Sequence, residues 1–245
     1  MHADKASTRP LRFFASTPYP CNYLPQRMAV SVYADPQVPP DTTLYSFLVD
    51  RGFRRSGALL YRPHCPGCDA CIPIRIPVAQ FRPNRSQRRA VSRNRDLQVR
   101  CTPPTFKPEH FALYQRYLAL RHPGGGMDDP RPEDYMNFLA CAGLDTGFYE
   151  FRERDRLLAV SVVDHLTTGL SAVYTFYEPM AEMRSVGTYT ILWQIAEAQR
   201  RRLTWLYLGY WISECRKMSY KSRFQPFEMY RNGRWIPAPS TREGP

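Results

Sequence analysis

Apolar residues recur along this chain with two distinct periods. In "PDTTLYSFLVDRG" Leu44, Phe47 and Leu48 stand three and four residues apart, which is one face of a helix. Asp41 is placed to cap that helix and Gly52 to stop it. "ALLYRP" reads as a strand. "IPIRIPV" alternates Ile72, Ile74, Ile76 and Val78 against other residues, the period of a half-buried strand, and Pro73 and Pro77 place it at a sheet edge. "FRPNRSQRRAVSRNRD" predicts a short helix started by Asn84 or Ser86, and "LQVRC" a strand. Two amphipathic helices follow, "KPEHFALYQRYLALRH" and "RPEDYMNFLACAG", joined by the flexible "HPGGGMDD".

From residue 147 the texture changes. "GFYEFRER", "LLAVSVVDHL" and "LSAVYTFYEP" predict three successive antiparallel strands. "SVGTYTILWQIAEAQRRR" is helical, with Leu192, Ile195 and Ala196 on one face. "LTWLYLGYWI" is a strand, and "FEMYRNGRWIP" a hairpin turning at Asn232–Gly233. Residues 1–18 read as polar and irregular, and the tail "APSTREGP" as loose. The expected fold is α/β (α+β): an acetyltransferase-like mixed sheet with flanking helices, preceded by a small cysteine-containing N-terminal region. The expected division is 1–105, 106–237 and a disordered tail 238–245.

Composition narrows the function classes. The 245 residues are 43% hydrophobic and 13% aromatic, which suits a folded core and argues against disorder. Of 34 basic residues only Lys5, Lys107, Lys217 and Lys221 are lysines. The rest are arginines, whose planar fork suits phosphate and carboxylate. A formal charge of +12 points to a polyanionic partner, with an arginine-rich proteome as the bland alternative. No stretch approaches the roughly 18 apolar residues of a membrane span, and no secretory signal is read. A cytoplasmic protein with reduced cysteines is expected.

Three constellations can carry chemistry. In "RPHCPGCDACIPIR", Cys65, Cys68 and Cys71 lie three apart and can supply three metal ligands, with Cys21, His64 or Cys101 as a fourth. The alternative is a turn that packs thiols as small hydrophobes. Arg82, Arg85, Arg88, Arg89, Arg93 and Arg95 fall within fourteen residues, with Arg85, Arg88 and Arg89 on one helical face. That spacing fits successive phosphates, the alternative being a solvated basic helix. "LYLGYWISECRKMSYKSRFQPFE" mixes aromatics with Lys217, Lys221 and Arg223. The aromatics can stack a terminal base and the bases can hold an anion, or both can be ordinary core and surface.

The strand–strand–strand–glycine turn–helix–strand order is typical of acetyltransferase cores. "RSVGTY" resembles their pyrophosphate loop, with Tyr189 in place of the last small residue. Taken together, "PYPCNYL", "CPGCDACIPIR", "FRPNRSQRR", "SVGTYTILWQI", "YLGYWI" and "KMSYKSRFQPFE" resemble the aminoacyl-tRNA–protein transferase family, and within it the bacterial branch that transfers leucine. The resemblance runs from about Pro18 to Pro237.

It implies transfer of leucine from charged tRNA (Leu-tRNA) to proteins whose N-terminal residue is Asp or Glu, marking them for N-degron proteolysis. The partners are then tRNA and those proteins, with no membrane. An aminoacyl ester is already activated, so no cofactor is required. Eukaryotic relatives, the arginyl-tRNA–protein transferases, have N-terminal cysteines implicated in iron–sulfur binding. The resemblance thus raises a cluster or zinc at Cys21, Cys65, Cys68 and Cys71, although Leu24 stands where a second N-terminal cysteine would be. Arg82, Arg85, Arg88, Arg89 and Arg93 are the expected tRNA contacts, and Tyr189, Tyr207, Tyr210 and Trp211 the expected pocket for the aminoacyl 3′ end. Arg75, Lys217, Lys221 and Arg223 are candidates for reading the acceptor's carboxylate. Asp164 and Glu178 are candidates for the base. Arginyl transfer, an acetyl-CoA-dependent acetyltransferase and a non-enzymatic, metal-bearing RNA-binding protein are the rival readings.

Overall fold

In the computed structural model, residues 10–121 and 129–239 are described. Strand β1 (Phe13–Ala15) opens this part of the chain. Next come β2 (Tyr19–Pro20), paired with β3 (Met28–Ala29), and then β4 (Ser31–Ala34). Helix α1 (Thr42–Val49) starts where expected, with the Asp41 carboxylate accepting the Leu44 N–H at 2.7 Å. The chain leaves it through Gly52 at φ +81°, which only glycine adopts freely. β5 (Arg54–Ser56) and β6 (Leu59–Pro63) complete a small antiparallel sheet in the order β1-β4-β6-β5. The irregular segment expected over residues 1–18 is therefore corrected at Phe13–Ala15, where backbone pairing with β4 builds a strand no apolar pattern announced. Residues 1–9 of that segment lie outside the described residues.

The remaining strands form one large mixed sheet. β7 (Ile72–Pro77) leads to α2 (Arg85–Arg93), β8 (Gln98–Thr102), α3 (Pro108–Arg121) and α4 (Pro132–Leu139). The glycine-rich link between α3 and α4 falls mostly at 122–128, outside the described residues. Then come β9 (Thr146–Glu153), β10 (Arg156–His165), β11 (Gly169–Tyr177), a 3-10 turn over Pro179–Arg184, and α5 (Val186–Arg200). β12 (Trp205–Trp211), α6 (Arg216–Ser219), a 3-10 turn over Tyr220–Arg223, and the hairpin β13 (Glu228–Arg231) and β14 (Arg234–Pro237) finish the fold. The order is β14-β13-β7-β12-β11-β10-β9-β8.

This sheet is covered on both faces, which is why β9 to β11 read as near-continuous apolar runs. Phe151, Leu158, Ala159, Val163 and Leu206 pack with Ile191, Leu192 and Ile195 of α5 and Ala90 of α2. On the other face, Phe148, Val160, Val162 and Phe176 pack against Leu113, Tyr114 and Leu118 of α3 and Tyr135 and Leu139 of α4. The expected residue-105 boundary has strands of this one sheet on both sides, because β7 and β8 precede it.

β7 is not the edge strand its prolines suggested. It lies between β12 and β13. β13 meets it only at Ile74 and Arg75, between the two prolines, so neither proline stands opposite a β13 residue and no rung of that ladder is lost.

Candidate active site

The only parallel pair among the described residues of the sheet positions the site. β11 and β12 are in register over Gly169–Ser171 and Trp205–Tyr207, and beyond these residues they part. Backbone groups freed by such a divergence need other partners. Arg54, on β5 of the small sheet, supplies them. Its Nη2 donates to the carbonyl oxygens of Ala172 at 2.6 Å and Val173 at 3.3 Å, and Nη1 donates to Ser171 Oγ at 3.2 Å. On the β12 side the guanidinium lies against Gly209, which has φ +75°. A Cβ there would sit 2.9 Å from both Cζ and Nε of Arg54. Gly209 is thus required twice, for its left-handed backbone and for the space over the guanidinium. Tyr45 of α1 closes the same spot from below, its hydroxyl 3.2 Å from Ser171 Oγ.

Lys221, in the 3-10 turn after α6, reaches the same region. Its side chain is buried and Nζ donates to the Tyr210 carbonyl at 2.7 Å. Burial, with the Arg54 charge adding to it, brings the amine down to about 7. Among the described residues, neither Arg54 nor Lys221 forms an ion pair with a carboxylate. Two enclosed cations without an acid are costly unless an anion from outside joins them.

The walls around them are phenols and thiols. Tyr220 keeps 41% of its surface exposed, yet desolvation raises its hydroxyl to about 12. A side chain that is open to solvent and also ringed by protein lines a recess. Tyr23 behaves alike: it is 36% exposed, and burial, then Tyr61 and Cys71, push its phenol well up. The Arg54 charge opposes the rise in both phenols. Tyr177, Tyr117 and Tyr174 extend the aromatic wall beyond Tyr220. Tyr210 is buried beneath, its hydroxyl donating to the carbonyls of Gly52 and Tyr61 at 3.0 and 3.2 Å.

The cysteine turn forms the opposite wall. Cys71 is raised to about 12 by burial first and then by Cys21, Cys65, Cys68 and Cys215 around it, so it stays a neutral thiol. Cys21, Cys68 and Cys71 pack against Leu24, Ile212 and Cys215 as small apolar groups. Cys65 Sγ accepts the Val30 N–H at 3.4 Å, and Cys68 Sγ accepts a hydrogen bond from Arg27 Nη1 at 3.3 Å. Among the described residues, no three His, Cys, Asp or Glu side chains are disposed to hold a metal ion.

Other sequence candidates fall elsewhere. Asp164 is 1% exposed and accepts two charged bonds from Arg55, at 2.6 and 2.7 Å, and one from Thr146 at 2.7 Å. Its carboxylate is spent on this interior ion pair. Glu178 is buried and held by Nε and Nη2 of Arg116, both at 3.2 Å. Arg75 is sandwiched between the rings of Trp205 and Trp235, 3.6 and 4.3 Å from their centroids. It is neutralised by Asp50 at 2.6 Å and Glu228 at 2.8 Å. Two carboxylates already match its charge. Tyr207 joins that clamp through its hydroxyl on Asp50. Tyr189 packs edge-on against Phe151, and Trp211 against Phe227, both in the core over the sheet. Of the four expected pocket aromatics only Tyr210 touches the recess. Lys217 and Arg223 are exposed. Arg54 escaped the sequence reading altogether. The one available signal was Gly209, mid-strand in an aromatic run, where glycine marks close approach of another group.

The basic helix lies beside this site. α2 begins with a capping box between Asn84 and Gln87 and buries Gln87 and Ala90. Gln87 Nε2 donates to the Arg223 carbonyl at 2.9 Å, tying α2 to the turn that carries Tyr220 and Lys221. Arg82, Arg85, Arg88, Arg89 and Arg93 are all exposed, and among the described residues none forms an ion pair.

Comparison with known proteins gives a consistent picture. The two halves of the family described as arginine-tRNA-protein transferase match, the N terminus at residues 19–89 and the C terminus at 109–231. An aspartate/glutamate leucyltransferase of Nitrosococcus oceani is 56% identical over 224 residues, covering 91% of this chain and 94% of that protein. One of Pseudomonas fluorescens is 54% identical, covering 92% and 96%. Among solved structures, L-PGS from Bacillus licheniformis aligns with a TM-score of 0.46 at 12% identity, covering 67% of this chain and 61% of that one.

Proposed function

We propose the following reaction for this chain, which belongs to the arginine-tRNA-protein transferase family. The protein is an aminoacyltransferase that conjugates leucine from Leu-tRNA to proteins beginning with Asp or Glu, marking them for N-degron proteolysis. The observation that carries the site is the acid-free pair Arg54 and Lys221 in the recess where β11 and β12 part. The acceptors are anionic one side chain away from their amine, and this recess holds cations that lack an anion. The phenol wall of Tyr117, Tyr174, Tyr177 and Tyr220 offers stacking surface for the terminal adenosine and apolar surface for the leucyl group. The α2 arginines, which among the described residues form no ion pair with an acid, are suited to the tRNA backbone.

The chemistry makes modest demands. The acceptor's α-amine attacks the ester carbonyl and the terminal ribose oxygen departs. The protein must align the two, remove a proton, and stabilise the oxyanion. The core itself has an acetyltransferase-like order: an antiparallel meander β9-β10-β11, then α5, then β12 alongside β11 and parting from it. The direct test offers Asp-, Glu- and Asn-initiated peptides with several charged tRNAs and weighs the products. A leucine-sized mass gain on the acidic peptides is expected. A gain from arginyl-tRNA or acetyl-CoA instead overturns the donor.

A further inference from the structure

The two recess cations differ in what they can still do. Arg54 spends its Nη2 on two β11 carbonyls and one N–H of Nη1 on Ser171, leaving Nε–H and the second N–H of Nη1 unassigned. It is fixed in place by the strand it bonds and by Gly209 across its face. Those two donors point to opposite sides of the guanidinium, so the pinned cation offers a carboxylate one charge-assisted hydrogen bond in a fixed direction. Lys221 is a single point donor tied to the Tyr210 carbonyl. The groups that face it are Arg54 of β5, Cys215 ahead of α6, and the Tyr210 backbone of β12. None is an acid that would hold it charged, and the desolvated amine titrates near 7, with its neutral form present at neutral pH.

Resting on the reading of the protein as a leucyltransferase, we propose that Arg54, against Gly209, receives the acceptor's side-chain carboxylate while Lys221 Nζ, on the adjacent Tyr210 carbonyl, takes the proton from its α-ammonium. An N-terminal Asp or Glu carries its carboxylate within one or two methylenes of the α-carbon, so neighbouring cation and amine in one recess address both ends of one residue. The step balances. The α-ammonium loses a proton to Lys221 Nζ, and the freed amine forms the C–N bond to the ester carbonyl carbon. The C–O bond to the ribose breaks, the ribose oxygen takes the second amine proton, and Lys221 returns its proton to water.

The test measures kcat/KM with Leu-tRNA for matched Asp- and Asn-initiated peptides. Wild type comes first: no leucine transfer to either peptide removes the functional reading itself. Given wild-type transfer, Arg54→Met should lower the Asp/Asn ratio by about tenfold or more; loss of its charge from beside Lys221 acts on both peptides alike, so the ratio reports the carboxylate alone. Lys221→Met should slow both peptides by about a hundredfold, leave the ratio intact, and remove the Lys221 limb from kcat against pH. If Arg54→Met does not fold, Arg54→Lys, which keeps the charge but loses the paired β11 bonds that fix its place, should still lower the ratio. Acetate, as a bare carboxylate, should raise KM for the Asp peptide and not for the Asn peptide on wild type. An unchanged ratio in the Arg54 variants, acetate without selectivity, or Lys221→Met shifting the ratio at unchanged rate would each overturn the assignment.

Discussion

Arg54 and Arg55 are consecutive residues of one strand, and they live in opposite electrostatic worlds. Arg55 is fully buried with Asp164, which answers its Nε and Nη2, and with the carbonyls of Leu139 and Gly57 and the hydroxyl of Thr146. All three of its nitrogens find partners inside the protein. Arg54 points to the other face of β5, into the gap between β11 and β12, and meets only neutral oxygens. Burial accompanied by a carboxylate builds structure, whereas enclosure without one leaves a charge for a ligand to complete. The same contrast separates Arg75, clamped by Asp50 and Glu228, from Lys221.

The sharpest way to break this contrast is to remove the acid from the structural side. Asp164→Asn leaves Arg55 charged and unpaired in the core. It should cost about 3–5 kcal/mol of folding stability, read by chemical denaturation. Transfer activity per folded molecule should be unchanged. A large drop in kcat at full stability would instead place Asp164 in the reaction.

A second structural carboxylate, Glu150, sharpens the contrast through pH. Burial alone would raise it, but bonds from Lys107, Arg152 and His110 outweigh that and hold it at about 2. Its folded-state pKa lies below the ordinary 4.5, so its contribution is complete above that pH and is lost as pH falls toward 2. The loss should total roughly 3 kcal/mol. Glu150→Gln should flatten that acid limb of stability. Lys221 should add no such limb, since its depressed pKa makes it a group that destabilises the fold when charged.

Much of the scaffold was legible because its signals are local. The Asn84–Gln87 capping box, the Asn232–Gly233 turn and the apolar runs of β9 to β11 lie within a few residues of what they determine. The interior position of β7 was not legible, because it depends on β12 and β13, well over a hundred residues away. The site failed in the same way. Whether an arginine is a receptor or a strut depends on which acid lies opposite, and Asp164 is 109 residues from Arg55. The family resemblance offered Arg75 and Lys221 equally as carboxylate readers, and only their partners separate them.

The α2 arginines extend the acid-free side of the comparison to the surface. Replacing Arg85, Arg88 and Arg89 with Gln should weaken tRNA binding and flatten its dependence on log salt by roughly 2–3 units. The fold should hold, since the buried face of α2 is Gln87 and Ala90. An unchanged slope would leave α2 a merely solvated helix.

The smallest effect on specificity should come from Arg75→Met. Its guanidinium lies between Trp205 and Trp235 and is matched by two carboxylates, so the substitution removes a stabilising clamp and no receptor. Some stability should be lost, because Asp50 and Glu228 are left without their shared cation, while Tyr207 still reaches Asp50. The Asp/Asn ratio of kcat/KM should stay at its wild-type value. That null result has force only beside Arg54→Met, made in the same background and assayed with the same peptides. If Arg75→Met collapsed the ratio and Arg54→Met preserved it, the rule that an unpaired cation marks the receptor would fail in this protein, and the acceptor would have to enter beside Trp235.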